Sequence, residues 1–193
     1  MIGYALTGSF CTLGRSIAVL ERLIGEGYDV QAFASDNAYL TDTRFGAAAE
    51  LMGRVETLTG RSIVHSVREA EPFGPVTPLE ALVIAPCTGN TLARLASGIT
   101  DGAVTMAAKA HLRQDRPLLL ALASNDAMSQ NLGNIARLLT RRSVYLVPML
   151  QDDPVGKPYS LVAEMEMIPE CLSLALRGVQ TRPLFLTMDR HGG

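Results

Sequence analysis

The sequence predicts an α/β fold in which a parallel β-sheet is covered by helices on both faces. Short segments that are apolar throughout, such as 82–85 and 117–123, recur along the chain and are typical of strands buried on both faces. Segments with helical spacing of apolar residues, such as 14–26, lie between them. Polar, glycine-containing loops follow several of the strands. This regular alternation predicts a three-layer, Rossmann-like domain.

The predicted elements follow one another as expected for such a fold. The helical pattern that starts at residue 14 stops at Gly25 and Gly27. In the last helical pattern, Pro169 predicts a kink or a break. A short strand over 62–65 precedes a proline-rich stretch. In chain order, we predict strands over 2–7, 28–34, 81–85, 117–123 and 144–147, and helices over 14–26, 45–58, 89–97, 102–114, 129–141 and 161–177.

Length and composition restrict the possible functions. The chain of 193 residues is 48% hydrophobic, so we expect a single domain over 1–193, with 179–193 as a peripheral tail. A net charge of −2 gives no electrostatic reason to expect nucleic acid or an anionic membrane. No signal peptide or membrane span is predicted, which favours a cytoplasmic protein. Three cysteines and three histidines without metal-ligand spacing predict no metal site.

Two loops carry the residues expected to bind a ligand. The loop 86–91 follows the apolar run 82–85 and opens a helix, and the loop 7–12 has the same character. Free N–H groups at a helix N-terminus bind anions, and both loops lie at the carboxyl edge of the predicted sheet. The candidate ligand-binding residues here are Gly8, Ser9, Thr88, Gly89 and Thr91. The alternative is that Ser9 and Thr88 only cap helices.

The usual nucleotide-binding motifs are absent. Gly8 is followed by a glycine only at Gly14, so the dinucleotide fingerprint is not matched, and no P-loop lysine is present. An ordinary NAD(P) or ATP site is therefore disfavoured.

Two further polar loops are candidates for the same site. Loop 124–134 follows a buried strand, and Ser124, Asn125 and Asn134 are suited to hydrogen-bond a heteroaromatic ring, with Asp126 as a candidate catalytic residue. Loop 151–158 places two adjacent carboxylates near a lysine, an arrangement compatible with acid–base chemistry or with a solvated turn.

The segment 85–101 resembles the signature of the FMN-binding flavoprotein superfamily, which includes phosphopantothenoylcysteine decarboxylase. Its sequence Ala-Pro-Cys-Thr-Gly-Asn-Thr at 85–91 is followed by Gly-Ile-Thr-Asp at 98–101. The resemblance implies a flavodoxin-like fold and bound FMN. It implies that Thr88, Asn90 and Thr91 contact the flavin or its phosphate, and that Gly8, Ser9 and Ser35 form the phosphate side.

Two departures put the decarboxylase chemistry of this superfamily in doubt. The stretch 71–75 lacks the catalytic histidine that the decarboxylases carry before the central strand. Their Pro-Ala-Met-Asn loop is replaced by Ala-Ser-Asn-Asp at 123–126.

A combination of motifs over about 1–165 resembles one family in the superfamily, the B subunits of dipicolinate synthase. The motifs lie at 7–12, 43–46, 70–75, 88–90, 106–110, 124–126 and 151–154. The resemblance implies an oxidoreductase component that acts with an A subunit in the mother cell of a sporulating bacterium. The pair would oxidise dihydrodipicolinate, or its hydrated tetrahydro form, to pyridine-2,6-dicarboxylate, with NADP on the A subunit. It also implies a homo-oligomer.

A dicarboxylate substrate needs cationic partners, and Arg44 and Lys109 are the candidates. Two other functions stay open. One is a stand-alone FMN-dependent decarboxylase, and the other is a cofactor-free scaffold for the A subunit.

Overall fold

The computed structural model describes residues 1–187, which form seven strands and eight α-helices. Predicted features of 188–193, including His191, lie outside the described residues. The strands are β1 (Ile2–Leu6), β2 (Val30–Ala34), β3 (Leu82–Thr88), β4 (Leu118–Ser124), β5 (Val144–Leu146), β6 (Met149–Leu150) and β7 (Leu161–Ala163). The helices are α1 (Phe10–Gly25), α2 (Asp36–Leu40), α3 (Ala48–Thr59), α4 (Val67–Ala70), α5 (Gly89–Ser97), α6 (Ala103–Leu112), α7 (Leu132–Leu139) and α8 (Ile168–Leu176).

The strands form a single mixed sheet of order β2-β1-β3-β4-β7-β6, with β5 also paired to β4. The pairs among β1, β2, β3, β4 and β5 are parallel, whereas β7 is antiparallel to both β4 and β6. One side of β4 therefore pairs with β5 along its first half and with β7 at its end. The predicted three-layer α/β class is confirmed, with an antiparallel extension that the sequence did not indicate.

Side chains alternate along the central strands between two separate cores. On β4, Leu119 and Ala121 belong to a core shared with α1, α3 and α8. Leu120 and Leu122 belong to a second core shared with α5, α6 and α7. Because successive strand residues point to opposite faces, a strand that is apolar throughout buries both of its faces. Helices on both faces follow directly from this pattern.

The prediction of one helix over 161–177 was wrong in its first part. Residues Leu161–Ala163 form β7, a 3₁₀ turn covers Met165–Met167, and the helix begins only at Ile168. Pro169 lies in the first turn of α8, where no intrahelical N–H is needed, so it starts the helix instead of kinking it. The apolar residues of this stretch face the core.

Strand β3 is longer than predicted. It continues through Pro86 to Thr88, with an irregularity in its pairing to β4 between Ile84 and Cys87. Cys87 therefore lies in the buried strand and not in a loop, and burial raises the pKa of its thiol to about 12. The predicted strand over 62–65 is reduced to a single bridge between Phe33 and Val64.

Two further contacts involve a histidine of α6 and the chain that follows α8. His111 is buried, and its Nε2 atom lies 2.8 Å from the carbonyl oxygen of Pro117. Residues 180–186 run beside β5 and β6, where Leu186 donates its N–H to the Met149 carbonyl at 2.8 Å. Among the helices described, none is long and apolar enough to cross a bilayer.

A close approach between the segment after α4 and helix α6 provides a test of the packing. A Cβ atom at Gly74 would lie 2.5 Å from the carbonyl oxygen of Ala110. We expect Gly74→Ala to lower the free energy of unfolding by about 1–3 kcal/mol, because backbone atoms must move to accept it. Thermal and urea denaturation measure the change.

Gly53→Ala is the control. Gly53 lies inside α3, and a Cβ atom added there would meet no other atom within 4 Å, so alanine should raise stability by roughly 0.5–1 kcal/mol. Equal effects of the two substitutions would contradict the close approach at Gly74.

Candidate functional site

A buried hydroxyl joins the ends of β1 and β3 at the carboxyl edge of the sheet. Thr7 is 1% exposed. Its Oγ1 atom donates to the Pro86 carbonyl at 2.6 Å and accepts from the Thr88 N–H at 3.1 Å. The loop after β1 and the end of β3 are therefore in direct contact, and they belong to the segments 7–12 and 86–91 that the sequence placed at one edge. Thr7 itself was not singled out as a site residue.

Helix α5 opens directly into this edge. The Thr88 hydroxyl accepts the Thr91 N–H at 3.2 Å and lies 3.0 Å from the Thr91 hydroxyl, so it caps the helix. The capping role proposed as the alternative is thus present for Thr88, whereas Ser9 precedes α1 without a side-chain cap hydrogen bond. The cap satisfies one of the N–H groups at the helix start and leaves others directed outward. Gly89 and Asn90 occupy that first turn.

Two cavities meet at these loops and share Gly8, Thr88 and Asn90. The larger has a volume of about 740 Å³ and the smaller about 410 Å³. Both lie in the range of roughly 300–1,000 Å³ that is typical of small-molecule sites. The predicted residues that line the larger cavity are Gly8, Ser9, Arg44, Thr88, Gly89, Asn90, Ser124, Asn125 and Asp126. Those that line the smaller cavity are Gly8, Ser35, Thr88, Asn90 and Thr91.

A hydrogen-bond network lies at the carboxyl end of β4, next to Gly89. The Ser124 hydroxyl donates to Asp126 Oδ1, which also accepts the Asn131 side-chain amide at 2.9 Å. Asn134 lies behind this network, where its amide donates to Asn131 Oδ1 at 3.0 Å, and it lines neither cavity. A Cβ atom at Gly89 would clash with the side chains of Ser124, Asp126 and Asn131, so this network requires glycine at position 89.

This network determines the protonation of Asp126. The hydroxyl of Ser124 and, to a smaller degree, the amide of Asn131 hold the pKa of the Asp126 carboxyl below its usual range, against the opposing effect of burial. Asp126 is therefore ionised at neutral pH. With Oδ1 occupied by two donors, Oδ2 is the oxygen that remains for a ligand or a proton.

Arg44 lies on a tight turn at the edge of the larger cavity. Thr43 and Gly46 exchange two backbone hydrogen bonds of 3.1 Å, and the Phe45 N–H donates to the Thr43 hydroxyl. The guanidinium of Arg44 lies 4.9 Å from the centre of the Phe45 ring. Within residues 1–187, no ion pair joins Arg44 to a carboxylate.

Lys109, the second predicted cation, is not part of this arrangement. It is exposed on α6 and lines a separate cavity of about 210 Å³ with Ile99 and Arg141.

The loop 151–159 also contributes to the wall of the larger cavity. Asp152 and Lys157 both line it, and Lys157 Nζ donates to Asp152 Oδ2 at 3.1 Å. This hydrogen bond raises the pKa of Lys157, so the ammonium is charged at neutral pH. The sequence indicated a polar loop here, but its place at the cavity depends on the β6–β7 hairpin, which periodicity did not reveal.

Arg15 of α1 also lines the larger cavity but is already paired. Its Nη2 atom donates to Glu164 at 2.6 Å and to Glu166, and its Nε atom donates to Glu166 at 3.0 Å. The hydrogen bonds from Arg15 lower the pKa of the Glu166 carboxyl to about 2. The three side chains connect α1 to the turn before α8. No local sequence pattern predicts this contact, because the partners lie far apart along the chain.

The donor groups of the two cavities fit a flavin mononucleotide. The side chains of Asn90 and Asn125 line the larger cavity and make no hydrogen bond among the described residues. Gly8 allows close approach of a ligand to the backbone, and the first turns of α1 and α5 supply N–H groups suited to a phosphate. No group of His, Cys, Asp and Glu within residues 1–187 is placed to bind a metal ion.

Comparison with known proteins identifies the family. The flavoprotein family model matches residues 1–172. The chain is 42% identical to the B subunit of dipicolinate synthase from Bacillus subtilis over 96% of its own length and 92% of that protein. The crystal structure of the corresponding B subunit from Bacillus halodurans C superposes with a TM-score of 0.88 at 42% identity, covering 96% of this chain and 95% of that chain.

A more distant structure shares only the fold. The dodecameric FMN-dependent UbiX-like decarboxylase of Escherichia coli O157:H7 has a TM-score of 0.58 at 24% identity, covering 77% of this chain and 80% of that chain. With the flavoprotein model matched over most of the sequence and extensive identity to the two Bacillus proteins, the chain belongs to the flavoprotein family and, within it, to the dipicolinate synthase B subunits.

Proposed function

We propose that this chain is the flavin-binding component of a two-subunit dipicolinate synthase. The observation that carries the proposal is the pair of cavities that meet at Gly8, Thr88 and Asn90, at the carboxyl edge of the sheet in a member of the flavoprotein family. Ligands of open α/β sheets bind at this edge. The name of the Bacillus subtilis relative indicates the product and a partner A subunit.

The reaction is the aromatisation of dihydrodipicolinate to pyridine-2,6-dicarboxylate. The ring loses two electrons and two protons, formally as a hydride and a proton, and the hydrated tetrahydro form also loses water. FMN, when bound, supplies a two-electron acceptor for such a step, and NADP on the A subunit is the proposed second acceptor. The proposed setting is the mother-cell cytoplasm of a sporulating bacterium.

The residues of this chain then have separate roles. The N-terminal turns of α1 and α5, together with Ser9 and Ser35, hold the phosphate and ribityl part of the cofactor. Asn90 and Asn125 donate hydrogen bonds to the ring. Ionised Asp126 is the candidate group to receive the proton, since its carboxylate is charged at neutral pH and Oδ2 remains accessible.

Arg44 is proposed to bind a substrate carboxylate. It is cationic, lies at the rim of the larger cavity and is free of ion pairs within the described residues. A homo-oligomer is part of the same proposal, supported by the dodecamer named for the Escherichia coli relative.

Binding of FMN is the first test. We expect purified protein to bind FMN saturably, with quenched flavin fluorescence and a shifted visible spectrum. Asn90→Ala should weaken binding about tenfold, because it removes a polar contact in the first turn of α5. Titration of both proteins with FMN measures the difference.

Ser97→Ala is the matched control, because Ser97 is exposed at the other end of the same helix. It should bind FMN as the wild type does. Protein that shows no saturable FMN binding would contradict the flavin assignment and favour the cofactor-free scaffold.

Arg44→Ala tests substrate binding in the reconstituted A and B pair. We expect kcat/KM for the dihydropyridine dicarboxylate to fall by about tenfold or more, since a charge-assisted hydrogen bond is lost. The melting temperature should not change, because the side chain is exposed. Steady-state kinetics and thermal denaturation measure both.

Arg68→Ala, at an exposed position on α4 outside both cavities, provides the comparison. The assignment of Arg44 fails when its variant keeps wild-type kinetics, or when both variants lose activity equally.

A further inference from the structure

Three cationic side chains line the larger cavity, and they differ in how they are paired. Arg15 donates through Nε and Nη2 to two carboxylates, Glu164 and Glu166, which offset its charge. Arg44 has no carboxylate partner among the described residues, and Lys157 uses a single hydrogen bond, to Asp152. An ammonium has three donors, so Lys157 retains donors for a second anion. Arg44 and Lys157 are thus the two cations of the cavity that pair with no more than one carboxylate among the described residues.

The backbone around Lys157 is held in place although the loop is exposed. The Lys157 N–H donates to the Asp153 carbonyl at 2.8 Å, and the Lys157 carbonyl accepts from the Ser160 N–H at 3.0 Å. The Gly156 N–H donates to Asp153 Oδ1 at 2.8 Å. Both peptide groups of the lysine are therefore fixed, which reduces the entropy lost when the side chain binds an anion.

Two contacts keep this loop closed and attached to the rest of the site. The Gln151 side-chain amide donates to the Pro158 carbonyl at 2.9 Å and closes the base of the loop. The Met128 N–H donates to the Tyr159 carbonyl at 2.9 Å and links the loop to the segment that carries Asp126. A Cβ at residue 156 would meet the carboxylate of Asp153, so a larger residue there would displace that side chain from its hydrogen bond to the residue 156 N–H.

The two cations reach the cavity from different parts of the chain. Arg44 comes from the turn between α2 and α3, and Lys157 from the β6–β7 hairpin, with the carboxyl end of β4 also contributing to the wall. A ligand with one carboxylate satisfies only one of these groups. A ligand with two carboxylates offers an anionic partner for each.

We propose that Lys157, together with Arg44, recognises the two carboxylates of the substrate in the larger cavity, and that the 151–159 loop is the specificity element of this protein. The inference rests on the proposed function, since it concerns the substrate of the same site. Lys157 takes the place of Lys109, the other lysine of the chain, which lines a different cavity.

Isothermal titration calorimetry with two ligands tests this inference. Pyridine-2,6-dicarboxylate and pyridine-2-carboxylate are titrated into FMN-supplemented protein in metal-free buffer. We expect wild-type protein to prefer the dicarboxylate. Lys157→Ala should weaken dicarboxylate binding about tenfold and affect the monocarboxylate much less, whereas Lys157→Arg should retain most of the affinity. Lys109→Ala, with the same loss of charge, should bind both ligands as the wild type does.

Several outcomes would overturn the inference. The first is an unchanged dicarboxylate affinity in Lys157→Ala. The second is an equal loss of affinity in Lys109→Ala, because that result would indicate only a general effect of net charge. The third is the absence of saturable dicarboxylate binding by the wild-type protein. FMN affinity is measured on the same proteins. Intact FMN binding with an unaffected Lys157→Ala variant rejects this inference alone, whereas absence of FMN binding rejects the proposed function.

Discussion

The Thr7 hydroxyl is the interaction on which the geometry of the site depends. It is buried, and its two hydrogen bonds to Pro86 and Thr88 use both its donor and an acceptor lone pair. A buried hydroxyl that lost these partners would be costly, so the contact is strongly favoured. It sets the separation of the loops that follow β1 and β3. The N-termini of α1 and α5, and with them the two cavities, are positioned by this separation.

The second half of the site is attached to the first through Gly89. The lack of a side chain there allows Ser124, Asp126 and Asn131 to pack against the start of α5. The same three residues form the network that keeps Asp126 ionised. The glycine at position 89 thus permits both the close packing at the start of α5 and the hydrogen bonds that lower the pKa of Asp126. Arg44 and Lys157, the two cations discussed above, lie on loops whose backbone hydrogen bonds are mainly local, apart from the bond between Met128 and Tyr159.

Much of the fold could be predicted from local pattern, because the central strands are apolar on both faces and the helices between them are amphipathic. The loops at 7–12 and 86–91 were also predictable, since strand order places them at one edge. The β6–β7 hairpin was not. Its strands have two and three residues, and Leu161–Ala163 followed by α8 has an apolar spacing that also fits a longer helix. Lys109 and Lys157 could not be distinguished for the same reason, because the position of each depends on tertiary contacts.

Substitutions in the β6–β7 hairpin and substitutions near the central strands are expected to have different consequences as the sequence diverges. The groups around Gly8, Thr88 and Gly89 are bound to the central strands, so a substitution there alters the sheet itself. The segment between β6 and β7 joins two short strands at the border of the sheet, and its contacts are largely within itself. A change in its length or sequence would therefore reshape one wall of the larger cavity and leave the strand register intact, so new ligand preferences can arise by exchange of about ten residues.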